Sequence, residues 1–154
     1  MFRTRLDELT RGPLQVMPTP LARANKELLE RHFAAEWSSD IEATMATIHP
    51  DEPWQRIPAF GTHVRGLDAV RDYYLKRFES WPGPAMEWFD RTTVTESCII
   101  VEGTLQVKPR GDFAGMAAAG RVLSAPCVIV VDCRDSLILG ETVYLDAAAL
   151  RGGS

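Results

Sequence analysis

The first residue to invite a chemical reading is Glu141, in the stretch ILGETVYLD over residues 138–146. Its β-branched and aromatic side chains, with no proline, read as a strand. Strand alternation puts Glu141 on one face with Leu139, Val143 and Leu145, and turns Thr142 and Tyr144 the other way. A carboxylate in an apolar row is costly to bury unless it is paired or protonated, so Glu141 is a candidate acid or base with a tuned pKa. The alternative is a face at a sheet margin, where Glu141 is simply hydrated. Asp132 ends an apolar row one strand earlier and is either a turn residue ahead of Arg134-Asp135-Ser136 or a pocket acid. His32 lies on or beside an apolar helical stripe, as a packed helix residue or as a functional group. His49 precedes Pro50, a position pushed out of helical geometry, and so opens a loop.

The elements that must position these groups follow from periodicity. Residues 1–20, with Gly12, Pro13, Pro18 and Pro20, read as an N-terminal arm with one helical turn around Leu6–Leu9. Leu21, Leu28, Leu29, His32, Phe33 and Trp37 recur at helical spacing and predict an amphipathic helix to Trp37. Ser39 with Glu42 fits a capping box for a short helix carrying Ile41, Met45 and Ile48. The loop from His49 to Gly66 is rich in apolar residues, Trp54 and Phe60 among them, and reads as a lid over the core or over a ligand. Leu67, Val70, Tyr73, Tyr74, Phe78 and Trp81 predict a second amphipathic helix, closed by Pro82-Gly83-Pro84. Its aromatic side either packs on a sheet or sends a tyrosine hydroxyl into a cavity.

Beyond Pro84 the period falls to two. Strands are predicted over residues 86–95, 98–108, 121–134 and 138–146, followed by a short helix capped by Asp146 and a tail over residues 151–154. The third strand is apolar on both faces, with Cys127, Ile129 and Val131 on one and Val128 and Val130 on the other, which places it in the middle of its sheet. Helices first and then hairpin-connected strands define an α+β class, with a single domain over residues 21–150.

Composition narrows the function. A chain of 154 residues, 45% hydrophobic, suits one core. Its net charge of −4 and the lack of a basic stripe argue against nucleic acid as a partner. No apolar run approaches the ~18–20 residues of a membrane span, and no signal region opens the chain. Three cysteines in strand-like runs, with no CxxC pair, point to reduced core residues and a cytoplasmic setting. The three scattered histidines offer no zinc spacing, so no metal is expected.

Four strings resemble the SnoaL-like group of the nuclear-transport-factor-two-like superfamily, which includes polyketide cyclases and relatives of ketosteroid isomerase and limonene epoxide hydrolase. They are LDAVRDYY after Gly66, GDFAGMAAAGR over residues 111–121, the strand and turn from Val128 to Leu137, and ETVYLDAAAL at the close. The resemblance implies a cone-shaped, curved antiparallel sheet wrapped around a long helix, with two further N-terminal helices. It also implies a homodimer, through the outer face of the third strand. Against the family's patterns, Ile57 stands where ketosteroid isomerases carry a catalytic aspartate before a proline, here Pro58. Their partner acid falls on Val128, and the family's Gly-Thr-His reads Gly103-Thr104-Leu105. The epoxide-hydrolase set falls on Gly103, Leu105 and Val143. Any activity must therefore use other residues.

The same resemblance turns Glu141, Val143 and Leu145 inward on the last strand, and Ile100, Glu102, Thr104 and Gln106 inward on the second. Glu102 and Glu141 then share a cavity, with His49 and Asp132 as further candidate catalytic groups. Trp54, Phe60, Tyr74, Ile57, Val128, Thr104, Val143 and Leu145 are candidate ligand contacts. Two carboxylates in one apolar space push their pKa values apart, leaving a proton donor and a base. The implied function is cofactor-independent proton transfer, of isomerase, cyclase or dehydratase type, on a hydrophobic cyclic carbonyl compound. The alternatives are a non-catalytic binding protein for an apolar metabolite and a dimeric interaction module.

Overall fold

The computed structural model describes residues 2–113, 117 and 120–152; residues 114–116, 118 and 119 of the GDFAGMAAAGR string lie outside them. The class is α+β, with five α-helices and one open, curved, seven-stranded sheet among the described residues. In chain order the elements are α1 (Leu6–Leu9), β1 (Leu14–Val16), α2 (Pro20–Trp37), α3 (Ile41–Met45), β2 (Trp54–Ile57), β3 (Thr62–Arg65), α4 (Leu67–Ser80), β4 (Phe89–Val94), β5 (Cys98–Val107), β6 (Leu123–Arg134), β7 (Leu137–Leu145) and α5 (Ala147–Gly152).

The sheet runs β1-β4-β5-β6-β7-β2-β3, so the doubly apolar β6 is the middle strand, as its composition demands. β4 to β7 form an antiparallel meander, flanked by parallel pairings of β1 with β4 and of β2 with β7. Helices α2 and α4 supply Leu28, Leu29, Phe33, Val70 and Tyr74 to a core completed by Phe89, Ile99, Val101, Val131 and Ile138 of the strands.

Helix boundaries have local causes. Pro20 opens α2, and the Thr19 side chain accepts a hydrogen bond from the Ala22 amide. The cap of α3 is Asp40, whose Oδ1 accepts from the Ala43 amide, not Ser39, which adopts a left-handed φ of 59°. The helix itself stops at Met45, because the Thr47 hydroxyl bonds the Thr44 carbonyl and Ile48 bridges to Ile138. Asp146 caps α5 through the Ala148 and Ala149 amides.

Two segments differ from the sequence reading. The expected lid over residues 49–66 contains a hairpin, β2–β3, docked on β7. Short strands around a central proline and glycine carry too little periodicity to be seen in isolation. The first twenty residues contribute α1 and the edge strand β1, and Leu6 and Leu9 are 0% and 3% exposed. The Leu6 amide donates to Glu30 Oε1 at 2.8 Å, tying this segment to α2.

Inclusion of α1 in the core is directly testable. Leu6→Ala is expected to cost about 2–5 kcal/mol in urea unfolding, the range for truncating a fully buried leucine. A loosely attached arm would give a change near zero.

Candidate active site

The register of β7 against its neighbours builds the site. Glu141 lies opposite Val131 of β6 and Gln55 of β2, so it points into the concave face together with Ile129, Val143, Leu145, Gln55 and Ile57. α2 and α4 lie across that face. On α2, His32 and Glu36 are four residues apart and therefore project from one side. On α4, Val70, Tyr74 and Arg77 follow the same rule, so Arg77 enters the apolar stripe.

The two helices and β7 meet in a buried polar cluster. His32 is 0% exposed and Glu141 8%. The Thr47 hydroxyl donates to the Thr44 carbonyl at 2.6 Å, so it accepts from the His32 Nδ1–H at 2.7 Å. That contact fixes the ring and turns Nε2 towards Glu141 Oε1 at 2.9 Å, Glu36 Oε2 at 3.3 Å and the Tyr74 oxygen at 3.2 Å. Tyr74 accepts from Gln55 Nε2 at 2.7 Å and donates to Glu141 Oε1 at 3.4 Å. Arg77 holds Glu36 Oε1 at 3.1 Å and donates to the carbonyls of Trp81 and Gly83.

Electrostatics follow from this geometry. Burial alone would lower the His32 pKa, but the charge and hydrogen bond of Glu141, and then of Glu36, outweigh it and push His32 up to about 9. Burial would raise Glu36, yet the Arg77 charge and then the His32 contacts hold it below the ordinary glutamate value. Tyr74 is raised well above the usual tyrosine value by burial and then by the Glu141 charge, so it keeps its proton. Two cations thus face two carboxylates, and the cluster balances internally.

The cluster closes one end of a cavity of about 60 Å³ whose other walls are apolar, including Phe33, Trp37, Tyr73, Met86, Phe89 and Leu105. Ligand-type atoms of His32, Glu36 and Glu141 lie within 4.8 Å of one another. One imidazole and two carboxylates form a donor set that divalent cations accept. Here those atoms satisfy one another through the His32 proton.

Of the residues named from the sequence, Glu141, Tyr74, Ile57, Val143 and Leu145 meet at this cavity. The others lie elsewhere. Glu102 is on the opposite face of the sheet, paired with Arg91 at 3.2 Å, and its side chain is 44% exposed. The inward set of β5 is Ile99, Val101, Leu105 and Val107, not Ile100, Glu102, Thr104 and Gln106, because burying the polar row would cost more than burying the apolar one. Thr104 and Val128 share that outer side with Glu102, as the β5–β6 register requires. Asp132 is also on the outer side of β6; burial raises its pKa and the Arg56 charge opposes the rise. Trp54 packs over Gly140, where any Cβ would lie 2.1 Å from the indole. Phe60 packs against the core from the turn at Pro58–Phe60. His49 is buried beside the β6–β7 turn, its Nε2 3.4 Å from Asp135.

Glu36, Gln55, Arg77 and Thr47 were not singled out by sequence reasoning. The legible signals were the i, i+4 pairing of His32 with Glu36 and an arginine in the Val70–Tyr74 stripe.

Comparison with known proteins follows this geometry. The model of the SnoaL-like domain family matches residues 29–140, so the chain belongs to that family. No curated protein matches the chain. Among solved structures, the chain is similar to a candidate SnoaL-like polyketide cyclase from Jannaschia sp. CCS1, with TM-score 0.69 and 18% identity over 88% of this chain and 97% of the other. It is similar to a limonene-epoxide-hydrolase-like epoxide hydrolase from M. tuberculosis, with TM-score 0.68 and 14% identity over 87% and 91%. It is also similar to a Catenulispora acidiphila protein of ketosteroid-isomerase-like fold, with TM-score 0.64 and 12% identity over 80% and 88%. At these identities the shared property is the fold. No helix among the described residues is long and apolar enough to cross a membrane.

The pH dependence of stability tests the cluster. A histidine at about 9 when folded and ~6.5 when unfolded contributes its full stabilisation below pH ~6.5 and loses it as pH rises through 9. Glu36, lowered when folded, acts at the acid end, where its contribution is lost as pH falls through its folded value. The melting temperature is expected to decline from pH 6.5 to 9.5, with His32→Gln flattening that decline. An imidazole resonance of His32 titrating near 6.5 would show the ion pair to be absent.

Proposed function

We propose that the protein is a cofactor-independent acid–base enzyme acting on a small, mainly apolar carbonyl compound. The observation that carries this reading is a cavity-facing carboxylate, Glu141, at the polar end of an apolar chamber, with a protonated phenol 3.4 Å away, while the neighbouring Glu36 has one oxygen on His32 and the other on Arg77. Glu141 takes a proton from carbon next to the carbonyl. The Tyr74 hydroxyl donates a hydrogen bond to the carbonyl oxygen, where negative charge develops. Returning the proton to a different carbon gives isomerisation, and loss of a β-hydroxyl with that proton gives dehydration.

The remaining groups act on Glu141 and Tyr74. Gln55 donates to the Tyr74 oxygen and so directs its proton towards the carboxylate or the ligand. His32, held by Thr47, places its charge on Glu141 Oε1, and Arg77 keeps Glu36 ionised so that His32 stays protonated. The roles expected of Glu102, His49 and Asp132 have no support from their positions outside the chamber. Structural neighbours of the same fold are described as a polyketide cyclase and an epoxide hydrolase, so the scaffold is one on which small-molecule chemistry is carried.

A second reading, a binding protein without turnover, is favoured by one observation: Glu141 Oε1 is already committed to His32 at 2.9 Å. In that case the ion pair fixes the fold and the chamber only holds a ligand.

Turnover of cyclic enones and β-hydroxyketones, followed by ultraviolet absorbance or by solvent deuterium uptake, separates the two. For the enzyme, Glu141→Gln is expected to lower kcat/KM by about 10²–10⁴, the range for a positioned base, and Tyr74→Phe by a smaller factor. Glu102→Gln is expected to match the wild type. Deuterium uptake that is unchanged in Glu141→Gln would remove the enzymatic reading.

A further inference from the structure

The chamber beside Glu141 is small. At about 60 Å³ it has room for a few waters, and a ring, which takes a cavity of ~150 Å³, enters only if a wall gives way. Sites that enclose a whole small-molecule ligand occupy roughly 300–1,000 Å³. A second hollow of about 670 Å³ lies against the first, and Trp37 and Met86 line both. These two side chains, 5% and 3% exposed, are the wall between the chamber and the larger cleft.

The far side of the cleft is built by the start of the chain. Phe2, Arg3, Glu8 and Arg11 line it together with Glu87 and Trp88. The family match begins at residue 29, so this wall stands outside the part the family shares. It is anchored, with Leu6 and Leu9 in the core, the Arg11 amide bonded to the Phe89 carbonyl at 2.9 Å, and Thr10 to Thr92 at 2.9 Å through their hydroxyls. The Arg11 guanidinium lies 3.6 Å over the Trp88 ring, which makes a flat surface both aromatic and cationic.

Met86 is the movable part of the partition. It sits in residues 81–88, a stretch without helix or strand until β4 begins. Its terminal methyl occupies space that Gly103 leaves open, since a Cβ there would lie 2.3 Å from it. An unbranched thioether changes rotamer at low cost and adapts to what it touches. Trp37, stacked on Phe33 at 4.9 Å, is the fixed side.

We propose that the ligand site continues past Met86 into this cleft. The ligand is then an elongated molecule with an apolar end the size of one ring beside Glu141, a narrow middle between Trp37 and Met86, and a polar far end. Arg3, Arg11 and Gln106 supply hydrogen-bond donors for that far end and Glu8 and Glu87 supply acceptors, with the Arg11–Trp88 surface beneath it. The proposal rests on the reading of the chamber as a ligand site, and the experiment is arranged to test the two separately.

The probes are phenol, which occupies the chamber alone once Met86 gives way, and 6-anilinonaphthalene-2-sulfonate, which is longer and carries its sulfonate at the end away from the anilino ring. Each is titrated into the full-length wild type while the Ile57, Val143 and Met86 methyl signals and the Trp88 indole N–H are followed by NMR. Both probes are expected to shift Ile57 and Val143. Only the longer one is expected to shift Trp88 as well, with saturation at one equivalent. Trp88→Ala is expected to reduce the affinity ratio of the longer probe to phenol about tenfold. If the longer probe shifts Ile57 and Val143 but not Trp88, or Trp88 but not Ile57 and Val143, the continuous site is wrong while the chamber stands. If phenol shifts neither Ile57 nor Val143, the chamber reading falls and the extended site with it.

Discussion

The contact between His32 Nε2 and Glu141 Oε1, 2.9 Å long and closed to solvent, joins the first long helix to the last strand. Ion pairs in such places are not stabilising by default, because desolvating each ion costs several kcal/mol that the attraction must offset. This one persists because it is not a lone pair. Glu36 and Arg77 add a second carboxylate and a second cation, and Thr47, Tyr74 and Gln55 satisfy the remaining hydrogen-bonding positions. The charges cancel within the cluster. Three elements, α2, α4 and β7, are thereby locked at one relative setting, since shifting any of them strands a buried charge.

The same lock shapes the chamber. Its polar groups are gathered at one end, so the remaining walls are free to be aromatic and aliphatic. Its apolar surface ends at the two oriented carboxylates of Glu36 and Glu141. The helices, rather than the strands alone, supply this chemistry. That explains how a chain of the SnoaL-like family can lack the acids expected before Pro58 and at Val128 and still carry an organised site. The fold supplies a cone; the residues that line it decide what happens there.

The architecture was readable in advance where pattern and environment agree. The helical stripe from Leu28 to Trp37, the doubly apolar β6 and the Asp146 cap follow from periodicity and capping chemistry, which act over a few residues. On β5 the alternation of Ile99, Val101, Leu105 and Val107 with polar neighbours left the polar row open to solvent or to a pocket. The family alignment chose the pocket and brought Glu102 inside. The desolvation cost of a polar row was the better guide. The hairpin of β2 and β3 was missed because four-residue strands beside Pro58 and Gly61 are held by pairing with β7, a partner about eighty residues away in sequence.

What the sequence determined by itself was the class, the central strand and the placement of Glu141 in an apolar row, all consequences of side-chain transfer free energies at fixed spacing. What only the tertiary structure decided was which groups that carboxylate meets. His32, Glu36, Tyr74, Gln55 and Arg77 come from three separate segments, and each alone reads as a packed or surface residue. Whether a buried charge is a cost or an anchor depends on partners within about 3–4 Å, and that distance is set by how helices cross a sheet rather than by any local pattern.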